Sequence, residues 1–294
     1  MDFVPWRRIL IIRSRGGGLE CGYATICRNG HLLARWEHIV DRFDLSGAIA
    51  LITGSSRGIG CTLAAGLADA GARIVLNGKH SAGLEEAAAR FREQYGADRV
   101  YARAFDITEE PEVAAAVNWI EDEVGPIRIL INNAGVQHRV PLLELDETNW
   151  DHVLRVNLTG AFLVGREVAR HMITRGRGKI INIASVQSEL ARPTIAAYTT
   201  AKGGLRNLTR AMTAEWAAAG LQINALAPGY IHTEMTQRLV DDPAFNDWVL
   251  NRTPAGRWGS SADLVGPAVW LASDGSDYVN GQVIYVDGGM TVVL

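Results

Sequence analysis

Tyr198 and Lys202 stand four residues apart in the run Tyr198-Thr-Thr-Ala-Lys202, with Ser185 thirteen residues upstream. On a helix that spacing puts the phenol and the ammonium on one face, where the cation can pull the tyrosine pKa down from about 10. A tyrosine tuned in that way donates or accepts a proton at a substrate oxygen, the step a carbonyl–alcohol conversion needs. Ser185 follows the apolar run 179–184, which reads as a buried strand. Its hydroxyl is therefore expected at the strand's carboxyl end, where open α/β sheets bind ligands. Taken alone, Tyr-x-x-x-Lys is a common pattern on solvated helix faces, so the rest of the chain must supply the context.

A second set of residues suits a dinucleotide. Residues 48–53 form a short apolar run, and Gly54-Ser55-Ser56-Arg57-Gly58-Ile59-Gly60 follows at once, leading into a helical pattern over 61–70. Glycines there permit a tight turn and close approach to a pyrophosphate, while the helix start offers unpaired N–H groups and partial positive charge. The spacing is G-x-x-x-G-x-G, and a glycine-rich loop by itself is as readily a plain turn. Asn132-Asn133-Ala134-Gly135 closes another strand-like run with amides and small residues that leave room for a ribose, although an ordinary Asn/Gly turn has the same composition.

Cofactor choice is read from charge. An NAD-selective fold of this kind places Asp or Glu about 20 residues after the glycine loop, against the ribose 2′-hydroxyl. Here the second strand ends in Asn77-Gly78-Lys79, with no carboxylate. Arg57 and Lys79 are placed to meet a 2′-phosphate, with Ser55 and Asn77 as neutral donors, so NADP (NADPH) is expected over NAD.

Strand-like runs at 48–53, 72–76, 99–105, 127–131, 179–184, 222–226 and 283–286 alternate, for the most part, with amphipathic stretches at 84–95, 111–124, 148–175, 195–219 and 262–273. Seven strands alternating with helices predict an α/β fold, a single Rossmann-like doubly wound domain whose seven-stranded parallel sheet is flanked by helices. Residues 236–258, rich in Asp, Asn, Pro and Trp and without a clean period, read as a lid over the substrate.

With these pieces in order, the chain from about Phe43 to Leu294 resembles the short-chain dehydrogenase/reductase family. The resemblance rests on Thr53-Gly54-Ser-Ser-Arg-Gly58-Ile-Gly60, Asn132-Asn-Ala-Gly135, Asn157, Ser185, Tyr198-x-x-x-Lys202 and Pro228-Gly229. It implies that Tyr198 is the proton donor and acceptor, that Lys202 holds the nicotinamide ribose and lowers the tyrosine pKa, and that Ser185 orients the substrate oxygen. It also implies that Asn157 holds a water linking Lys202 to solvent; read without the family, Asn157 is a polar residue within a long helix, a kink or a satisfied core amide. Asp106, Pro228, Gly229, Ile231 and Thr233 join the implied cofactor-binding set, Thr233 at the position that meets the nicotinamide carboxamide. A homotetramer built from the helices at 148–175 and 195–219 is implied as well.

Substrate identity must come from the loops near Tyr198, because the sheet and glycine loop serve the cofactor. Val136-Gln137-His138-Arg139 and Gln187-Ser188-Glu189-Leu-Ala-Arg192 offer cations and amide or carboxylate partners. Arg139 and Arg192 suit an acid group, and Gln137, Gln187 and Glu189 suit hydroxyls, which together fit a sugar acid or its ketone. A 3-oxoacyl-thioester reductase, or another short-chain carbonyl reductase, shares the catalytic set and is the alternative. A nucleotide-binding sensor without chemistry is the reading from another class, and the complete set Asn157, Ser185, Tyr198 and Lys202 speaks against it.

Composition bounds the rest. With 294 residues and 48% hydrophobic content the chain can bury one full core. A net charge of −3 indicates neither nucleic acid nor an anionic membrane as partner. Cysteines at 21, 27 and 61 have no zinc spacing and no paired framework, which fits a reducing, cytoplasmic setting with no metal. Residues 1–42 differ, with seven arginines against four acids. They are expected to be a poorly ordered extension, ahead of an interaction arm or an organellar transit peptide, because Ile9–Ile12 is too short for a secretory core. Residues 43–294 are expected to be the catalytic domain.

Overall fold

The computed structural model describes residues 8–15, 18–26, 32–33 and 39–293, with side chains from Asp41 onward. The chain divides into two units, Met1–Asp44 and Leu45–Leu294. In the first, Arg8–Arg15, Gly18–Ile26 and Leu32–Leu33 form a three-stranded antiparallel sheet, and Ile39–Phe43 is a 3-10 turn. For the remainder of residues 1–42, the expectation of a poorly ordered extension falls outside the described residues.

The second unit is built on seven parallel strands: β1 (Ile49–Ile52), β2 (Arg73–Gly78), β3 (Val100–Ala104), β4 (Ile127–Asn132), β5 (Gly178–Ile183), β6 (Leu221–Pro228) and β7 (Val283–Val286). Their order is β7-β6-β5-β4-β1-β2-β3, so the chain winds outward in both directions from a switch point between β1 and β4. That is the doubly wound arrangement the alternation predicted, and its ligand crevice lies beyond the carboxyl ends of the strands at the switch.

Successive strand residues point to opposite faces, which gives the sheet two cores. Ala50, Ile52, Ile74 and Leu76 pack with Leu63 and Leu67 of helix α1 (Gly58–Asp69) and Leu84 of α2 (Ser81–Tyr95). Ile49, Leu51 and Val75 pack on the other face with Val117 of α3 (Glu110–Trp119) and with Val164 and Val168 further along the chain. The central strands are buried on both sides, which is why they read as unbroken apolar runs.

The stretch expected as one helix over 148–175 is α4 (Glu147–Leu154), a π turn (Arg155–Thr159) and α5 (Gly160–Arg175) in continuous succession. Helix α6 (Ala196–Trp216) carries Tyr198 and Lys202. The lid segment contains a short α7 (Gln237–Val240) and a ten-residue α8 (Pro243–Arg252), with Asp242 accepting from Ala244 N and Phe245 N as N-cap. The last helix is α9 (Val265–Ala272). No helix among the described residues is long and apolar enough to cross a membrane.

Candidate active site

The glycine loop is a backbone cradle. Gly54 and Gly58 have φ of +62° and +60°, a conformation that favours glycine. A Cβ on Gly54 would lie 2.8 Å from Ala134 Cα, and one on Gly60 would lie 2.5 Å from Gly54 O and collide with the Asn133 amide. Asn133 donates to Thr53 O and Gly54 O at 2.9 and 3.0 Å, tying the end of β4 to the end of β1. Helix α1 begins at Arg57 without a side-chain cap, which leaves its first N–H groups for an anion. A cleft of about 1420 Å³ opens over this loop and runs past Asp106, Gly135, Tyr198 and Pro228 to Ile231 and Thr233. These residues fit a nicotinamide dinucleotide, phosphates on the loop and ribose toward the Tyr198 end.

Ser55 and Asn77 are placed differently from their expected role as phosphate donors. Both are buried. The Ser55 hydroxyl donates to Ile52 O at 2.8 Å and accepts from Asn77 N at 3.0 Å. Asn77 Oδ1 accepts from Gly54 N, and its Nδ2 donates to Arg103 O and Phe105 O. These two side chains brace the loop from beneath.

The two expected phosphate cations each face an acid. Lys79 Nζ lies 2.7 Å from Asp106 Oδ2, and Arg57 Nη1 lies 3.5 Å from Glu234 Oε2, at the far side of the cleft. Burial works against the Asp106 charge, but hydrogen bonds from Lys79 and Thr108 outweigh it and hold the carboxyl below its ordinary range. Ser56 and Ile59 also line the cleft.

At the catalytic end, Tyr198 sits one turn before Lys202, whose Nζ is 5.6 Å from the phenol ring centre and donates to Ile183 O at 2.6 Å. Burial pushes the Lys202 ammonium down to about 8. Burial also pushes the Tyr198 phenol up, and the groups that pull it back are the Ser185 hydroxyl and the Arg139 charge. Arg139, on the loop after β4, is thus a second cation acting on Tyr198, beside Lys202 one turn along the helix. Ser185 Oγ accepts from Gln187 N at 3.2 Å, which fixes it at the exit of β5.

Asn157 lies in the π turn, the extra residue in the turn projecting it out of register with the helix. Its Nδ2 donates to Val136 O and Val153 O at 2.8 and 2.9 Å, and its Oδ1 accepts from Val136 N at 3.2 Å. It therefore pins the loop that carries Gln137 and Arg139. A Cβ on Gly135 would lie 2.6 Å from that Oδ1.

The substrate side divides. The Arg139 and Arg192 loops are joined by Val140 N donating to Thr194 O at 2.9 Å. Thr194 has φ of +71°, a strained conformation for a β-branched residue, held between Arg192 and Tyr198. Burial and the neighbouring Arg192 charge lower the Arg139 pKa. Arg192 stacks on Phe245 of α8 at 5.3 Å. Gln187 is buried, and neither its Oε1 nor Gln137 Oε1 has a hydrogen-bond partner among the described residues. Glu189 departs from its expected role: its carboxylate is bound by Arg206 of α6 and approached by the Tyr285 hydroxyl at 3.4 Å. Tyr230, which sequence reasoning passed over, sits among Phe245, Trp248 and Trp258 with ring centres 5.6 to 5.7 Å away. Its place directly after Pro228-Gly229 was the available signal. Among the described residues no cluster of metal-ligating side chains occurs.

A doubly wound sheet with a glycine cradle at its switch point and a Ser–Tyr–Lys constellation beside it defines a nucleotide-dependent oxidoreductase, and the chain belongs to the short-chain dehydrogenase/reductase family. Residues 54–291 match the family model described as enoyl-(acyl carrier protein) reductase. The gluconate 5-dehydrogenase of Gluconobacter oxydans (strain 621H) is 56% identical over 254 residues, 86% of this chain and 98% of that protein. The 5-keto-D-gluconate 5-reductase of Escherichia coli (strain K12) is 48% identical over 86% of this chain and 99% of its own. Among solved structures, a gluconate 5-dehydrogenase from Burkholderia cenocepacia J2315 in complex with NADP and tartrate superposes with a TM-score of 0.85 at 54% identity, covering 87% of this chain and all of that one.

Proposed function

We propose that the protein interconverts D-gluconate and 5-keto-D-gluconate with NADP as the preferred nicotinamide. The observation that carries this reading is the pair Arg139 and Arg192 on two joined loops beside Tyr198. A carboxylate held there presents a polyol chain to the phenol. The relatives point the same way: full-length matches at 48% and 56% identity carry gluconate names, and a 54%-identical structure holds NADP with tartrate, itself a hydroxy acid. The acyl-thioester alternative has in its favour only the description of the family model.

The nicotinamide, when bound, accepts or supplies the hydride. Everything else falls to the chain. The glycine cradle and the α1 amino terminus take the phosphates. Ser185 positions the reacting oxygen, and Tyr198 removes its proton in the oxidising direction and returns it in the reducing one. Lys202 meets the ribose and, with Asn157, connects the site to solvent. Arg57 and Lys79 favour the 2′-phosphate. We further take the enzyme to be cytoplasmic and homotetrameric through the helices at 148–175 and 195–219, where α5 leaves Phe162 and Ile173 more than a third exposed; sedimentation of a monomeric, active particle would refute the assembly.

The test is steady-state kinetics of the wild-type enzyme on D-gluconate, a neutral polyol and an acetoacetyl thioester. Gluconate is expected to be the best substrate, with Arg139→Ala or Arg192→Ala raising its KM about tenfold or more while sparing the neutral polyol. Preference for the thioester, with gluconate KM unchanged in both variants, would overturn the sugar-acid reading.

A further inference from the structure

Tyr230 has a hydroxyl sealed from solvent that the Arg192 guanidinium approaches as a donor, and its own proton has no acceptor among the described residues. A buried hydroxyl in that state costs about 1–3 kcal/mol, so its persistence calls for a partner. Its surroundings narrow what that partner is. Three aromatic rings enclose the phenol ring, and the guanidinium stacked on Phe245, one of those rings, belongs to Arg192. The second guanidinium, Arg139, is partly exposed and tied to the Arg192 loop through Val140 N and Thr194 O. Both cations act on the Tyr230 phenol, which burial pushes up, so it stays a neutral O–H donor through the physiological range.

Arg192 on the Phe245 ring, Arg139 on the joined loop and the Tyr230 hydroxyl offer an anion donors and no acceptor, and Arg238 adds a third positive charge that acts on Arg139. A planar carboxylate has two oxygens and about four lone-pair directions, enough to accept from both arginines and from the phenol at once. The Tyr230 hydroxyl is itself out of contact with water, which strengthens the bond it donates. Arg257, next in sequence to Trp258, does not belong to this group: it is paired with Asp263 at 2.8 Å.

We infer that Tyr230 is a specificity-determining residue, its hydroxyl donating to the substrate carboxylate held between Arg139 and Arg192. This rests on the sugar-acid reading. The residue does no proton chemistry, which belongs to Tyr198. It selects hydroxy acids over neutral polyols, because only a carboxylate satisfies all three donors. The anion enters on the side of Arg139, the more exposed of the two guanidiniums.

The test is calorimetric titration of D-gluconate, and in parallel a neutral polyol of the same length, into the enzyme loaded with NADPH. That ternary complex cannot turn over, so binding is read without chemistry. Wild-type and Tyr230→Phe enzymes are compared, the substitution retaining the ring and its three aromatic contacts. The expected result is a tenfold or greater rise in the gluconate Kd, with the polyol and NADPH constants within twofold of wild type. If wild type binds gluconate and Tyr230→Phe binds it equally, or if both ligands weaken together, the inference is wrong while the sugar-acid reading stands. If wild type itself fails to bind gluconate, the sugar-acid reading falls and takes the inference with it.

Discussion

Lys79 closes on Asp106 across the end of the sheet, Nζ to Oδ2 at 2.7 Å, so the lysine expected to greet a phosphate already has a carboxylate partner. The lysine is largely exposed, so solvent screens its attraction to Asp106 and a doubly charged phosphate competes for it. Arg57 is held more loosely, at 3.5 Å from Glu234 with both side chains in solvent.

The cofactor preference follows from that difference. Wild-type kcat/KM is expected to favour NADP over NAD by at least about tenfold, the value of one charge-assisted contact. Arg57→Ala should remove most of the preference, and Lys79→Ala less, because Asp106 already offsets part of its charge. Initial rates with both nicotinamides decide it. Equal efficiency in the wild-type enzyme would mean that both cations serve only their acidic neighbours.

Asn77→Asp would be the obvious way to reverse that preference, and the structure changes what it should do. The Asn77 amide donates to Arg103 O and Phe105 O from a buried position. Aspartate keeps the acceptor for Gly54 N but loses both donations and buries a charge, costing at least about 2 kcal/mol. For a domain of this size that lowers Tm by roughly 5 °C. Thermal unfolding should show this drop whether or not selectivity changes; an unshifted Tm would contradict the bracing role.

The charge on Arg139 sets a pH prediction. Burial raises the Tyr198 phenol and Arg139 pulls it back, so Arg139→Ala should raise it further. Alcohol oxidation needs the phenolate, so the rising limb of its kcat profile should move to higher pH. Ketone reduction needs the phenol, so its falling limb should move to higher pH too. Saturating substrate separates this from any loss of binding. Tyr198→Phe should cost about 10²- to 10⁴-fold in kcat in both directions with cofactor affinity kept. Limbs that stay in place after Arg139→Ala would show that its charge does not reach the phenol.

The frame of this site was legible because glycines, apolar runs and Tyr-x-x-x-Lys declare themselves by type and spacing. What escaped depended on partners distant in sequence. Glu189 looked free until α6 brought Arg206 to it, seventeen residues on. Asn77 looked like a surface donor because nothing in its own strand says that the loop after β3 covers it. The π turn at Asn157 has no periodic signature, since one inserted residue leaves the apolar pattern nearly intact. Helix α8 did have a signal, Asp242 followed by Pro243, an N-cap and first-turn pair masked by the irregular composition around it.

Residues 1–42 provide the last prediction. The catalytic unit begins at Leu45, whose N–H donates to Ala70 O at 2.8 Å, and among the described residues none that lines the cleft precedes it. The Gluconobacter oxydans relative aligns over 98% of its own length while covering 86% of this chain, so part of this chain has no counterpart in it. Deleting residues 1–42 should therefore leave kcat/KM within about twofold and Tm within a few degrees, because the sheet, the glycine cradle and the Ser185–Tyr198–Lys202 set all lie in the part retained. Parallel thermal unfolding and kinetics of the full chain and the truncated form measure this. A truncated enzyme that folds but loses most of its turnover would place part of the working site in the amino-terminal segment.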